Sequence, residues 1–191
     1  MTEIGWLREK LFERRTVLLT GDLGEAATRC AAELMTLDAT ADGPIELRVD
    51  CDGGSLDDAF TVIDVVDLVG VPVHAIVIGR ALGPVVGVVA VCDHRVAAPH
   101  AVLQLREPDI AFEGDATALA AFAEQRRAVL ERFCERLADA TGRTAAEVRD
   151  LVDRRRPLDP EQARALGIVD EVASRDAEIR AFPRRVGFRV R

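Results

Sequence analysis

The chain has little of several things, and each shortage narrows what it does. It has no long apolar run: stretches such as residues 85–92 fall far short of the roughly 20 residues a membrane-spanning helix requires. The first residues, Met1-Thr2-Glu3, lack the basic-then-apolar order of an export signal. We therefore expect a protein with no membrane partner. Cysteine is scarce and scattered (Cys30, Cys51, Cys92, Cys134), without the paired short spacings of a zinc site or the density of a disulfide scaffold. That pattern fits a reducing cytoplasm, with the thiols buried in the core, and it implies neither metal nor cofactor. Positive charge is also in deficit. A formal net charge of −8 argues against general nucleic-acid binding, which needs a clustered basic surface. Serine is rarer still: only Ser55 and Ser174 occur, so a serine nucleophile has almost nowhere to reside.

What is present is an alternation of helix and strand signals over 191 residues, with 49% hydrophobic content. This suits one α/β domain with mostly parallel strands. Residues 1–173 form that domain in this reading, and 174–191 form a tail. The tail carries six Arg against Asp176 and Glu178, a balance of +4 that leaves −12 for the rest. It reads as a solvated basic end or as a segment that docks on an acidic surface.

Along the chain, Trp6, Leu7, Leu11 and Phe12 suggest a short amphipathic helix. Strands are predicted at 16–20 and 45–49, with a helix at 25–37 between them. The run 71–78 reads as a strand buried on both faces and ending at Gly79. Short strands follow at 95–97 and 101–105. Residues 115–140 place Leu119, Phe122, Val129, Leu130, Phe133 and Leu137 near one face of a long helix, which Gly142 ends. Thr144 with Glu147 makes a capping box, Asp159-Pro160-Glu161-Gln162 caps another helix, and 168–172 is a last strand.

Two glycine turns stand out, Asp52-Gly53-Gly54-Ser55 and Gly79-Arg80-Ala81-Leu82-Gly83, each between a strand end and a helix start. Backbone N–H groups gathered at such a point form an oxyanion hole if two of them converge. Tight turns also need glycine for conformational reasons alone. Ser55 occupies a helix-cap position, His74 lies within a predicted strand, and His94 and His100 have no serine or cysteine beside them. No nucleophile and base emerge from the residues themselves.

The order of these motifs resembles the proteolytic subunit family of Clp protease, a peptidase S14-like group of the ClpP/crotonase superfamily, over residues 6–172. Asp50-Cys51-Asp52-Gly53-Gly54-Ser55 is similar to that family's Asn-Ser-Pro-Gly-Gly turn, and Gly79-Arg80-Ala81-Leu82-Gly83-Pro84 to its Gly-x-Ala-Ala-Ser-Met turn. The resemblance implies a ClpP/crotonase-like spiral of repeated ββα units with a long handle helix. It implies a Ser-His-Asp triad position at Gly83, Arg106 and Arg155, and oxyanion-hole positions at Gly54 and Pro84. Glycine carries no nucleophile, arginine stays protonated and cannot accept a proton, and proline has no N–H to donate. One lost oxyanion donor alone typically costs about 2.7–4 kcal/mol of transition-state stabilisation. The expectation is therefore a ring-forming scaffold or regulatory subunit that does not cut peptides. It would associate with itself or with a catalytic Clp subunit. The chain starts almost at its first helix, short of most of the segment that forms axial pore loops in the family, which puts direct gating by, or docking to, an unfoldase in doubt.

Two enzymatic alternatives stay open. Gly79-x-Ala81-Leu82-Gly83, followed by Cys92-Asp93-His94-Arg95, also resembles the enoyl-CoA hydratases, placing Glu107 on one catalytic glutamate and Gly87 on the other. A peptidase with a relocated nucleophile would use Cys51. A non-enzymatic alternative is a binding module in which Arg106 and Arg155 hold an anion or a peptide carboxylate, unless acids such as Glu107, Asp153 or Asp159 pair with them.

Overall fold

Parallel strands need long connections, and helices supply them here. The computed structural model describes residues 3–174. In chain order the elements are α1 (Glu3–Phe12), β1 (Thr16–Gly21), α2 (Leu23–Asp38), β2 (Ile45–Cys51), α3 (Leu56–Leu68), β3 (Val73–Leu82) and α4 (Val85–Ala90). They continue as β4 (His94–Ala97), β5 (Val102–Gln104), α5 (Ala116–Thr141), α6 (Ala145–Arg154), α7 (Pro160–Ala165) and β6 (Glu171–Val172). The sheet runs β1-β2-β3-β4-β6, with β5 also on β3, and every one of these pairings is parallel. The expected α/β class with a long helix is thus observed. The basic tail lies outside the described residues, apart from Ser174.

One face of the sheet carries the core. Val17, Leu19, Ile45, Leu47, Val49, Val73, Ala75 and Val77 are fully buried, against α2, α3 and α4. The other face is half open, and this corrects the expectation of a strand covered on both sides. His74 and Ile76 are only partly buried, and Ile78 is 49% exposed.

The expected end of β3 at Gly79 is also corrected: the strand runs on to Leu82. It pairs with β4 at residues 74–77 and with β5 at 80–82. Opposite this hand-over the register with β2 jumps, Val49 facing Val77 but Cys51 facing Ala81. The Asp50 side chain fills the irregularity, its Oδ1 accepting the Arg80 N–H at 2.9 Å. A Cβ at residue 79 would overlap that carboxylate, so glycine is the residue that lets the strand continue.

The caps are where residue chemistry places them. Ser55 with Asp58, Thr144 with Glu147, and Asp159 with Gln162 form capping boxes. Asp115 caps α5, and Gly142 ends it at φ 68°. The predicted apolar face of α5 holds only in its second half, where Val129, Leu130, Phe133 and Leu137 are buried. Leu119 is 50% exposed, because the first half of the helix projects beyond the sheet. Trp6 and Leu7 are likewise more than half open or nearly so, at 50% and 57%, so α1 is not seated by them. The last strand shortens to two residues, although Ile168 and Val169 are buried.

Arg95 ties the end of the sheet together. Its guanidinium bonds the Asp170 carboxylate and the carbonyls of Ala90, Ala140 and Gly167, while its own N–H also donates to Asp170. Those Arg95 hydrogen bonds hold the Asp170 carboxyl below its ordinary range.

Gly87 lies in α4 directly under Phe133 of α5, and a Cβ there would overlap the ring. Gly87→Ala is expected to lower unfolding stability by about 1–3 kcal/mol, the usual cost of overpacking. Urea unfolding with an unchanged slope and a shifted midpoint is the check.

Candidate functional site

The two glycine turns meet at one cleft because backbone crowding leaves room for nothing larger. Gly53 has φ +113°, and a Cβ there would stand 3.3 Å from the Leu82 carbonyl oxygen; at Gly54 it would stand 2.6 Å from the Leu23 Cβ. The first turn is fastened by Leu23 N–H to the Gly53 carbonyl at 2.8 Å and Asp52 N–H to the Gly21 carbonyl at 2.9 Å. The second is fastened by Gly83 N–H to the Gln104 carbonyl at 2.7 Å. Between them opens a cleft of about 600 Å3, whose walls include Gly53, Gly54, Gly83, Pro84 and Arg106.

Gly83 and Arg106 are in direct apposition. A Cβ at residue 83 would lie 3.5 Å from the Arg106 carbonyl oxygen and 3.7 Å from its Cγ, although φ +60° disfavours any side chain there. Gly54, Gly83, Pro84 and Arg106 are thus brought together, as the motif order implies. Arg155 does not line the cleft. It sits in a left-handed C-cap at φ 49°, its carbonyl accepting from Gln104 Nε2 at 2.5 Å. Its Nη1 reaches Asp109 Oδ1 at 3.1 Å, and Asp109 Oδ2 lies 3.9 Å from Arg106 Nη1.

The acid between the two arginines is therefore Asp109, not the Glu107, Asp153 or Asp159 suggested by sequence. Glu107 faces Arg126 at 3.7 Å, Asp153 pairs with Arg149, and Asp159 caps α7. Asp109 and Arg126 were not singled out from the sequence. Asp109 is three residues from Arg106 but on a segment without regular structure, so no periodicity marks it. Arg126 did leave a signal: it falls between Phe122 and Val129, a charge in an apolar stripe.

The remaining candidates have structural partners. Ser55 Oγ donates to Asp58 Oδ2 at 2.6 Å and accepts the Asp58 N–H, as a helix cap. Cys51 is fully buried, and burial, followed by the charges of Asp22, Asp52 and Asp50, pushes its thiol up from the ordinary value. His74 and His94 pack edge to face, 5.6 Å between ring centres, His100 is exposed, and none of the three lines the cleft. At Gly87 the second hydratase glutamate would have no space beside Phe133.

A family model described as Clp protease matches residues 3–176. The chain belongs to the Clp protease family. A protein of Rhodococcus jostii named ATP-dependent Clp protease proteolytic subunit 3 is 33% identical over 180 residues, covering 91% of this chain and 88% of that one. Proteins named ATP-dependent Clp protease proteolytic subunit 1 from two serovars of Chlamydia trachomatis are 28% identical over 169 residues, covering 85% of this chain and 88% of theirs. The match to the Clp protease family takes in both glycine turns, the residue 106 segment and α5.

Burial also raises the other thiols, Cys30 to about 12 and Cys134 to about 11, with Cys92 pushed up as well. A thiolate is the reactive form. Iodoacetamide at pH 8 is accordingly expected to leave Cys51 unmodified in the folded protein and to modify it in guanidinium. Peptide mass mapping reads the outcome, and rapid native labelling of Cys51 would revive it as a nucleophile.

Proposed function

We propose that this Clp protease family chain is a non-catalytic, ring-forming subunit that serves as scaffold or regulator in a Clp-type assembly, alone or beside a catalytic relative. The observation that carries the proposal is Gly83 lying against Arg106 at the head of α4, whose N-cap is Pro84. By the resemblance those positions belong to nucleophile, base and oxyanion donor. Here they offer no nucleophilic atom, a permanent cation and no N–H. Arg155, in the acid's place, presents its backbone carbonyl to Gln104 and its side chain to Asp109.

Association is supported by apolar surface left uncovered at one end of the molecule. Ile110 and Phe112 are 45% and 38% exposed, and Leu119 on the free half of α5 is 50% exposed. Phe112 stacks on Phe122 at 4.8 Å, which holds the segment before the helix against its first turns. Clustered exposed apolar side chains mark interaction surfaces. Among the described residues no helix is long and apolar enough to cross a membrane, and all four cysteines are free thiols, which supports placement in a reducing cytoplasm.

The rival readings have weaker support. Acyl-CoA chemistry would lean on Glu107 alone, since Gly87 has no room for a partner carboxylate. An anion held by Arg106 and Arg155 would compete with Asp109, which already stands between them.

Two outcomes are expected. The purified protein hydrolyses neither casein nor fluorogenic peptides and takes no fluorophosphonate label. Gly83→Ser alone gives the same result, because base and second oxyanion donor are still missing and triad members act as a unit. Heat-sensitive stoichiometric labelling of either protein would overturn the non-catalytic reading. Light scattering at micromolar concentration should report a species several-fold above the 20.7 kDa chain mass, and Leu119→Glu should reduce it. A monomer both alone and mixed with a catalytic Clp subunit contradicts the ring-forming part.

A further inference from the structure

Arg126 is the charge in the cleft wall that the fold does not explain. It stands on α5 between Phe122 and Val129, and all three line the cleft. Its side chain is only 14% exposed. Nε and Nη2 are both buried and neither has a hydrogen-bond partner. Glu107 brings its Oε1 no closer than 3.7 Å to Nη2, beyond hydrogen-bonding distance. Leaving buried donors unmade is costly, and native structures keep few of them.

The two orphaned atoms are chemically specific. Nε and Nη2 form the side edge of the guanidinium, whose parallel N–H groups match the two oxygens of one carboxylate. Of the other cleft acids, Asp22 caps α2, Asp52 pairs with Arg80 and Asp109 with Arg155, and Asp57, in the first turn of α3, forms no ion pair with Arg126. Glu107 itself is 32% exposed on a segment, residues 105–115, that belongs to no helix or strand. It is thus free to turn outward. The walls beside Arg126 are apolar, Pro108, Ile110, Phe122 and Val129, and the cleft's size is within the roughly 300–1,000 Å3 usual for small-ligand sites. An apolar wall around one guanidinium suits a carboxylate borne on an organic chain better than a hydrated inorganic ion.

We infer that Arg126 anchors the carboxylate of a short peptide, which enters the cleft, turns Glu107 out to solvent and rests its apolar neighbours on Phe122 and Val129. The inference rests on the reading of this chain as a non-catalytic member of its family.

The test is fluorescence anisotropy with three labelled Ala/Leu pentapeptides: one with a free C-terminal carboxylate, one amidated with a single Glu, and one amidated with Gln in its place. Acid-bearing probes should bind about tenfold or more tightly than the Gln probe, the scale of hydrogen bonds to a charged group. Whichever acid probe shows the gap tells a terminal from a side-chain carboxylate. Arg126→Gln should erase the gap, and Glu107→Gln, which removes the competing acid while keeping Arg126, should widen it. Equal binding of all three probes, a gap that survives Arg126→Gln, or a gap that narrows in Glu107→Gln would overturn the proposal, the last because Glu107 would then be supporting Arg126. Glu107→Gln keeps the test decisive if Arg126→Gln fails to fold. Full displacement by equimolar inorganic phosphate would overturn the peptide assignment. Mass spectrometry of the recovered probes shows separately whether they were cleaved, which would sink the non-catalytic reading and leave the carboxylate gap standing.

Discussion

The carboxylate of Asp50 occupies the space where residue 79 would otherwise carry a side chain, and the geometry of the cleft depends on that substitution of one group for another. β3 must pair first with β4 and then with β5 while it keeps β2 on its other side. The pairing with β2 cannot stay in register through the hand-over. Asp50 accepts the Arg80 N–H at the point of slippage, so the backbone does not lose a bond there. β3 therefore stays a strand as far as Leu82, and Gly83 emerges beside Gln104 of β5 and Arg106 just beyond it. If the strand stopped at Gly79, the second turn would begin three residues earlier and would not face residue 106.

A second fixed point, Arg95, closes the opposite end of the sheet. Its donors satisfy the terminal carbonyls of Ala90 and Ala140, at the ends of α4 and α5, and that of Gly167 ahead of β6. The carboxylate of Asp170 balances its charge. A hydrogen-bonded and paired guanidinium is tolerated at 14% exposure because nearly all of its donors are used. Arg126 has the same exposure with two donors unused. The contrast between two arginines at equal depth is what separates a structural group from an unfinished one.

Local chemistry was legible in the sequence wherever one residue type has one conformational task. The capping residues Ser55, Thr144 and Asp159, the stop at Gly142, and the glycine turns at 53–54 and 83 all lie where composition and spacing put them. Depth was less legible. Residues 71–78 look equally apolar on both strand faces, yet one face has no layer of helices over it. Leu119 continues the spacing of Phe133 and Leu137 but lies beyond the sheet that would bury it. Period alone shows which residues share a side, while only the tertiary arrangement shows whether that side is covered. Ion pairs across segments were least legible of all: Asp109 meets Arg155 forty-six residues away, and nothing in local spacing distinguishes it from Asp153.

The positions that shape the cleft and the positions that the resemblance assigns to chemistry in it obey different constraints. Gly53, Gly54, Gly79 and Gly87 each have a neighbour that a Cβ would crowd, so substitution at any of them is resisted by packing. Arg106 and Arg155 are one-third and one-half exposed, whereas Gly83 is buried against Arg106 at φ +60°. Exchanging either arginine costs the fold little, since exposed ion pairs contribute roughly 0–1 kcal/mol. The backbone that gathers these positions is thus held independently of the side chains at 106 and 155. The cleft is shaped and partly apolar, and the side chain in its wall with buried donors that lack hydrogen-bond partners is Arg126.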